Sequence, residues 1–201
     1  MANAMAFAAA RGTPLTVHAT FHLRFAEGFT EASWASFQTT FLDKIARWLK
    51  RRGIPVAYAW TRECGPVKGP HLHLLLHLPC AHWKAFKRFV IFAGRFQESD
   101  GVSQAVVLSG AKWGMWKETM QAGALRYLLK SLDASASTLE ALGIRPEATC
   151  PVMVKRCGVS TTLAQKARRE ARWIELRSLP ELHGRLNPAN NNQVEVRHAV
   201  A

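Results

Sequence analysis

Acidic residues are scarce in this sequence. Fourteen Asp and Glu stand against twenty-seven Lys and Arg, a formal net charge of +13 over 201 residues. A field of that sign attracts polyanions, and nucleic acid is the common one. An anionic membrane surface is the lesser match, because no lipidation motif or basic amphipathic anchor accompanies the charge at a terminus. Long apolar runs are missing as well. The hydrophobic content of 48% excludes wholesale disorder, yet no stretch approaches the roughly 18–20 apolar residues of a membrane span. Met1 to Ala10 is small and apolar without a basic start, a poor secretory signal, so the cytoplasm is the expected compartment. Cysteine is sparse: Cys64, Cys80, Cys150 and Cys157 contain no Cys-x-x-Cys pair, which argues against a zinc ribbon and for reduced thiols. Only two tyrosines occur, Tyr58 and Tyr127.

Histidine, by contrast, is concentrated. Gly69-Pro70-His71-Leu72-His73-Leu74-Leu75-Leu76-His77-Leu78-Pro79 is bounded by turn and breaker residues, and the run between them has the length of a strand. Alternation puts His71, His73 and His77 on one face and Leu72, Leu74, Leu76 and Leu78 on the other. Two imidazoles at i and i+2 on one sheet face are roughly 6–7 Å apart at Cα, close enough to converge on one metal ion. The alternative is a half-buried strand whose histidines merely face solvent.

The flanking segments predict a sheet with helices. Residues 13–25 alternate Leu15, Val17, Ala19, Phe21, Leu23 and Phe25 with Thr16, His18, Thr20, His22 and Arg24, a half-buried strand with two more histidines on its polar face. A helix is expected from Thr30 to about Arg52, stopped by Gly53 and Pro55, with Trp34, Phe37, Phe41, Ile45 and Trp48 as its core stripe. A second strand over 54–62 leads through the turn Glu63–Pro70 into the histidine strand, a hairpin that would hold Glu63 near that strand's start. Residues 81–93 read as a helix and 103–109 as a short strand. Residues 117–132 read as another helix, on which Tyr127 and Lys130 lie a turn apart on one face, and 137–142 as a short one. After an extended 151–155, the segment 156–162 introduces a basic helix ending near Leu176, with Lys166, Arg168, Arg169 and Arg172 on its surface. A Gly followed by Ser and Thr at that helix start suits phosphate contact, the alternative being a capped, solvated helix. The chain divides into an N-terminal extension (1–12), one domain (13–178) and a flexible tail (179–201).

The motif order is a strand with Thr and His, then Glu63, then His71-Leu72-His73, then Tyr127-Leu128-Leu129-Lys130. It resembles that of the rolling-circle replication initiator proteins of the HUH endonuclease superfamily, named for His-hydrophobic-His. The resemblance covers roughly residues 13–175, and the Pro151–Arg169 segment is similar to a tail of bacterial plasmid- or prophage-type members. The first-strand motif departs from the family, with His18 and Ala19 where simpler apolar-Thr-apolar runs are usual, which leaves the role of Thr20 open. Conjugative relaxases place the tyrosine before the histidines, the reverse of the order here.

The resemblance implies an α+β fold, ferredoxin-like (RRM-like), with a central antiparallel sheet and flanking helices. It implies a metal site of His71 and His73 with Glu63 as third ligand, suited to Mn²⁺ and less obviously to Mg²⁺. His77 shares the face but lies too far along the strand to join the same ion, and His18 and His22 are rival ligands or supporting partners. Tyr127 would attack the scissile phosphorus, become joined to the 5′ phosphate and leave a 3′ hydroxyl. A phenol of pKa about 10 needs help to lose its proton, and Lys130 is placed to give it. Lys68, Lys155, Arg156, Lys166, Arg168 and Arg169 would track the DNA backbone. The expected partners are single-stranded DNA or a hairpin at a replication origin, no membrane, and a host helicase, since 201 residues are too few for a nuclease and a helicase motor together. Two other readings fit the same residues. One is a non-catalytic nucleic-acid-binding protein on the same sheet, the other a metal-dependent hydrolase without a covalent intermediate.

Overall fold

Apolar side chains at every second position must all leave water on one side, so they dictate how the strands meet the helices. The computed structural model describes residues 1–66, 68–97, 104–110 and 155–174. In chain order these form helix α1 (Ala2–Ala10), strand β1 (Val17–His22), helix α2 (Trp34–Lys50), strands β2 (Tyr58–Gly65) and β3 (Gly69–Leu76), and helix α3 (Trp83–Ala93). Strands β4 (Val106–Ser109) and β5 (Cys157–Val159) and a short helix α4 (Gln165–Glu170) complete them. The five strands make one antiparallel sheet in the order β4-β1-β3-β2-β5, an α+β architecture.

One face of the sheet is apolar. Val17, Ala19 and Phe21 of β1 and Leu72, Leu74 and Leu76 of β3 pack with Phe41, Ile45, Trp48 and Leu49 of α2 and Phe86 and Val90 of α3. The aromatic stripe expected on α2 is therefore core. Thr30 and Ser33 exchange backbone-to-hydroxyl hydrogen bonds of 3.0 and 3.1 Å ahead of α2, so the helix starts four residues later than Thr30. At its end Gly53 takes φ +66°, and the Gly53 and Ile54 N–H groups donate to the Lys50 and Leu49 carbonyls, a Schellman termination.

The opposite face is apolar only at one end. There α1 lies on it, burying Met5, Phe7 and three alanines against Leu15, Ala57, Ala59, Leu75 and Leu163. The segment expected as an extension is thus half of a second core. Its alanines let the helix approach the sheet closely, while Phe7 meets Trp173 edge-on at 5.4 Å.

Several boundaries differ from the sequence reading. β1 stops at His22 and the chain turns through a 3-10 segment at Leu23–Phe25. β2 runs on through Glu63 to Gly65, because β3 pairs with it down to Gly65 opposite Gly69, leaving a loop of three residues closed by Gly69 at φ +66°. The long basic helix is replaced by β5, a 3-10 turn at Thr161–Leu163 and the six residues of α4. The Ser160 hydroxyl accepts from the Tyr58 N–H at 3.3 Å and Thr162 donates to the Val56 carbonyl, so these hydroxyls tie the segment to the sheet. Arg172 at φ +51° ends α4. The expected helices over 117–132 and 137–142, the extended 151–154 and the tail fall outside the described residues.

Phe7→Ala should lower the stability of the folded protein by about 3 kcal/mol, as a buried Phe in a core does. Urea unfolding measures this. An unchanged midpoint would mean that α1 is an appendage after all.

Candidate metal centre

The face that α1 leaves uncovered is polar, and three strands build it. The β2–β3 register sets Glu63 beside His71 and Thr61 beside His73. The β1–β3 register sets His22 beside His71 and Thr20 beside His73. Two rows result, running across the sheet. Because Leu72 and Leu74 are drawn into the helix-side core, His71 and His73 have no choice but this face.

Glu63 sits between the two imidazoles, its Oε1 3.4 Å from His71 Nε2 and its Oε2 3.2 Å from His73 Nε2. The three residues are 5%, 2% and 0% exposed. One ligand atom from each lies within 4.8 Å of the others, a spacing that a single ion can bridge. The backs of the rings are held too. His71 Nδ1–H donates to the Gly69 carbonyl at 2.8 Å, which leaves Nε2 as the nitrogen aimed at Glu63. His73 Nδ1 lies 3.0 Å from the Thr20 hydroxyl and 3.2 Å from His18 Nε2. The nitrogen of His73 that faces Glu63 is again Nε2. Anchoring the far nitrogen in this way is what metal-binding histidines generally show.

The electrostatics favour a cation. Burial alone would raise the Glu63 carboxyl, but the hydrogen bonds and charges of His71 and His73 outweigh it and hold the group well below the usual carboxylate range. Burial lowers His18 to about 3, helped by His73. It lowers His22 to about 4, helped by His71, Lys68, Arg24 and His73. At neutral pH Glu63 is therefore a carboxylate, and the neighbouring His18 and His22 are uncharged imidazoles. Two nitrogens and a carboxylate oxygen are donors that Mn²⁺ accepts readily and Mg²⁺, which prefers oxygen throughout, less so. The residues fit a divalent ion.

Two buried polar atoms beside the triad have no hydrogen-bond partner among the described residues, His22 Nδ1 and Thr61 Oγ1. Thr61 carries no signal in the sequence beyond standing two residues before Glu63, and so on its face of the strand. His77 is occupied elsewhere, donating from Nδ1 to the Pro14 carbonyl at 2.9 Å.

The basic residues expected on DNA divide into two groups. Lys68, exposed in the β2–β3 loop, and Lys155 and Arg156, leading into β5 beside Arg62, stand at the triad's end of the sheet. Lys166, Arg168 and Arg169 lie on α4, which packs against α1 at the other end. Of these Lys166 faces Glu170 at 3.8 Å, and Arg168 donates to the Leu163 carbonyl. Tyr127 and Lys130 fall outside the described residues. Tyr58 packs on the helix-side core, on the wrong face of β2 for the triad, and its phenol is pushed up by burial and by Asp43.

Scans against protein-family models, curated proteins and solved structures return no match.

Titration of the protein with Mn²⁺ in a calorimeter should give one bound ion. His71→Ala with His73→Ala should abolish binding. Glu63→Gln and Thr20→Val should weaken it by about 10–100-fold, the usual range for a missing ligand or ligand anchor. An affinity that Glu63→Gln leaves untouched would exclude the triad as the ion's seat.

Proposed function

We propose that this chain nicks single-stranded DNA at a specific site and transfers the cut strand, the chemistry of rolling-circle replication, through a covalent tyrosyl phosphate. The observation that carries the reading is the buried Glu63 carboxylate lodged between His71 and His73 on the polar face of the sheet. In this reading β1 to β4 with α2 and α3, in the order β-α-β-β-α-β, form a ferredoxin-like unit, and β5 is an added edge strand.

Glu63, His71 and His73 would hold the divalent ion, Mn²⁺ or Mg²⁺, whose charge offsets that building on the scissile phosphate. The protein supplies the nucleophile. With Tyr58 on the helix side of the sheet, Tyr127 is the tyrosine left to provide it. Its phenolic oxygen attacks phosphorus, the bond from phosphorus to the 3′ oxygen breaks, and the departing oxygen takes a proton to become a 3′ hydroxyl. The 5′ phosphate stays joined to Tyr127. Lys130, three residues further on in the sequence, would favour the phenolate by its charge or contact the phosphate. A 3′ hydroxyl attacking the phosphotyrosine reverses the step, restoring a phosphodiester and the phenol. Lys68, Lys155 and Arg156 would hold the flanking phosphates near the triad. Origin DNA, as a single strand or hairpin, is the partner, with a host helicase to unwind duplex.

The test is a denaturing gel of the protein mixed with labelled single-stranded oligonucleotides and Mn²⁺. Label should migrate with the protein, and Tyr127→Phe or the His71→Ala, His73→Ala pair should remove it. Cleavage that Tyr127→Phe leaves intact would replace this reading with the water-activating hydrolase.

A further inference from the structure

The nicking reading gives no task to the layer of α2 and α3 on the other side of the sheet, yet that layer holds the most lopsided charge in the chain. Between Asp43 and Glu98 the sequence has eleven Lys and Arg, one of which, Lys68, stands at the triad's end instead, and a single acid, Glu63, which is committed to the imidazoles. Some of these cations are internally used. Arg47 pairs with Asp43 at 2.7 Å, Lys44 donates to the Ala93 carbonyl at 2.9 Å, and Arg95 faces Glu27 at 3.9 Å. Arg62 is buried, donating to Gln38. Lys50, Arg51, Arg52, Lys84 and Arg88 are exposed, and none has a carboxylate in ion-pair range among the described residues.

These five belong to one surface. Trp48 near the end of α2 packs against α3, its ring 5.4 Å from those of Phe86 and Phe89 and 6.2 Å from His82 just before that helix. Arg52 lies over the Trp48 ring at 3.9 Å. The cationic end of α2 is thereby held beside the start of α3. Helix dipoles explain half of this arrangement at most. Cations at the end of α2 are favoured, but Lys84 in the first turn of α3 stands where the dipole opposes it, with no acid in that turn to compensate. Like charges kept together against both the dipole and one another indicate a partner that supplies the anions.

We propose that this helix layer binds the phosphate backbone of double-stranded nucleic acid, on the side of the sheet away from the metal centre and without need of metal. A rigid array of cations on two helices matches phosphates fixed in a duplex. Readers of single strands add aromatic platforms for the bases, whereas Trp48, Phe86 and Phe89 are turned into the core here. A membrane surface is the poorer fit, because among the described residues the layer's one large exposed apolar side chain is Phe92. This binding does not depend on the nicking reading.

Fluorescence anisotropy of a labelled random-sequence DNA duplex, in EDTA, tests it. Lys50→Gln/Arg51→Gln/Arg52→Gln and, separately, Lys84→Gln/Arg88→Gln should each weaken binding at least about tenfold at low salt. Each should also lower the slope of log affinity against log salt by about 0.9 for every phosphate that the variant no longer neutralises. His71→Ala with His73→Ala should bind as wild type does. Gln keeps helix propensity, and two variants at different helix ends guard against a single folding failure. Wild-type affinity and salt slope in both variants would overturn the proposal. So would a protein that binds phosphatidylserine vesicles but not the duplex.

Discussion

Everything on the polar face depends on the register of β2 against β3. A strand's side chains alternate, so a slip of one residue would send Glu63 into the helix-side core and part it from His71. Two constraints fix the register. Leu72, Leu74 and Leu76 must face α2 and α3, and the three-residue loop between Gly65 and Gly69 allows one closure, with Gly69 in the left-handed region that other residues enter at a cost. The apolar side of the sheet thus does the positioning for the polar side. The candidate metal site inherits its geometry from leucines on the opposite face of the sheet.

Burying a carboxylate is costly, and the surroundings show how the cost is met. Glu63 has two imidazole nitrogens within 3.4 Å, each ring anchored from behind, by the Gly69 carbonyl for His71 and by Thr20 and His18 for His73. Such a group without a cation would be among the most destabilising features of a fold. A proton or a divalent ion shared with His71 and His73 offsets that cost. Thr61 Oγ1 and His22 Nδ1, buried without a hydrogen-bond partner among the described residues, lie on either side of the triad and widen the polar site beyond its three central residues.

Strong periodicity was legible in the sequence. The alternation in β1 and β3 and the aromatic stripe of α2 placed those elements, and the Gly- and Pro-punctuated turn between two strand patterns placed the hairpin. Legibility failed where the signal was tertiary. An alanine-rich run such as Ala2–Ala10 has no polar face to mark it as amphipathic, so its seat over Leu75 and Ala59 could not be read from its own residues. The basic run after Ser160 looked like a single helix by composition, but the hydrogen bonds of Ser160 and Thr162 to β2 and to Val56 draw it along the sheet edge first. Thr61 stayed hidden because an isolated Thr in a strand has no pattern to betray it.

The two faces of the sheet also act on each other through charge. A chain of net charge +13 repels the divalent cation that its own triad attracts. At physiological ionic strength that repulsion is screened beyond about 8 Å, so distant lysines matter little, whereas the carboxylate and nitrogens, buried and in contact, act almost unscreened. Nearer cations such as Lys68, close enough to help depress His22, still count against the ion. A phosphate backbone laid against Lys68, Lys155 and Arg156 would cancel that opposition. Polyanion and metal ion would then each favour the other's binding by the same factor, as linkage requires. A basic surface beside a buried, weakly charged ligand set has a consistent electrostatic logic. On that logic a cation held by Glu63, His71 and His73 would be held more tightly with a polyanion beside it than without one.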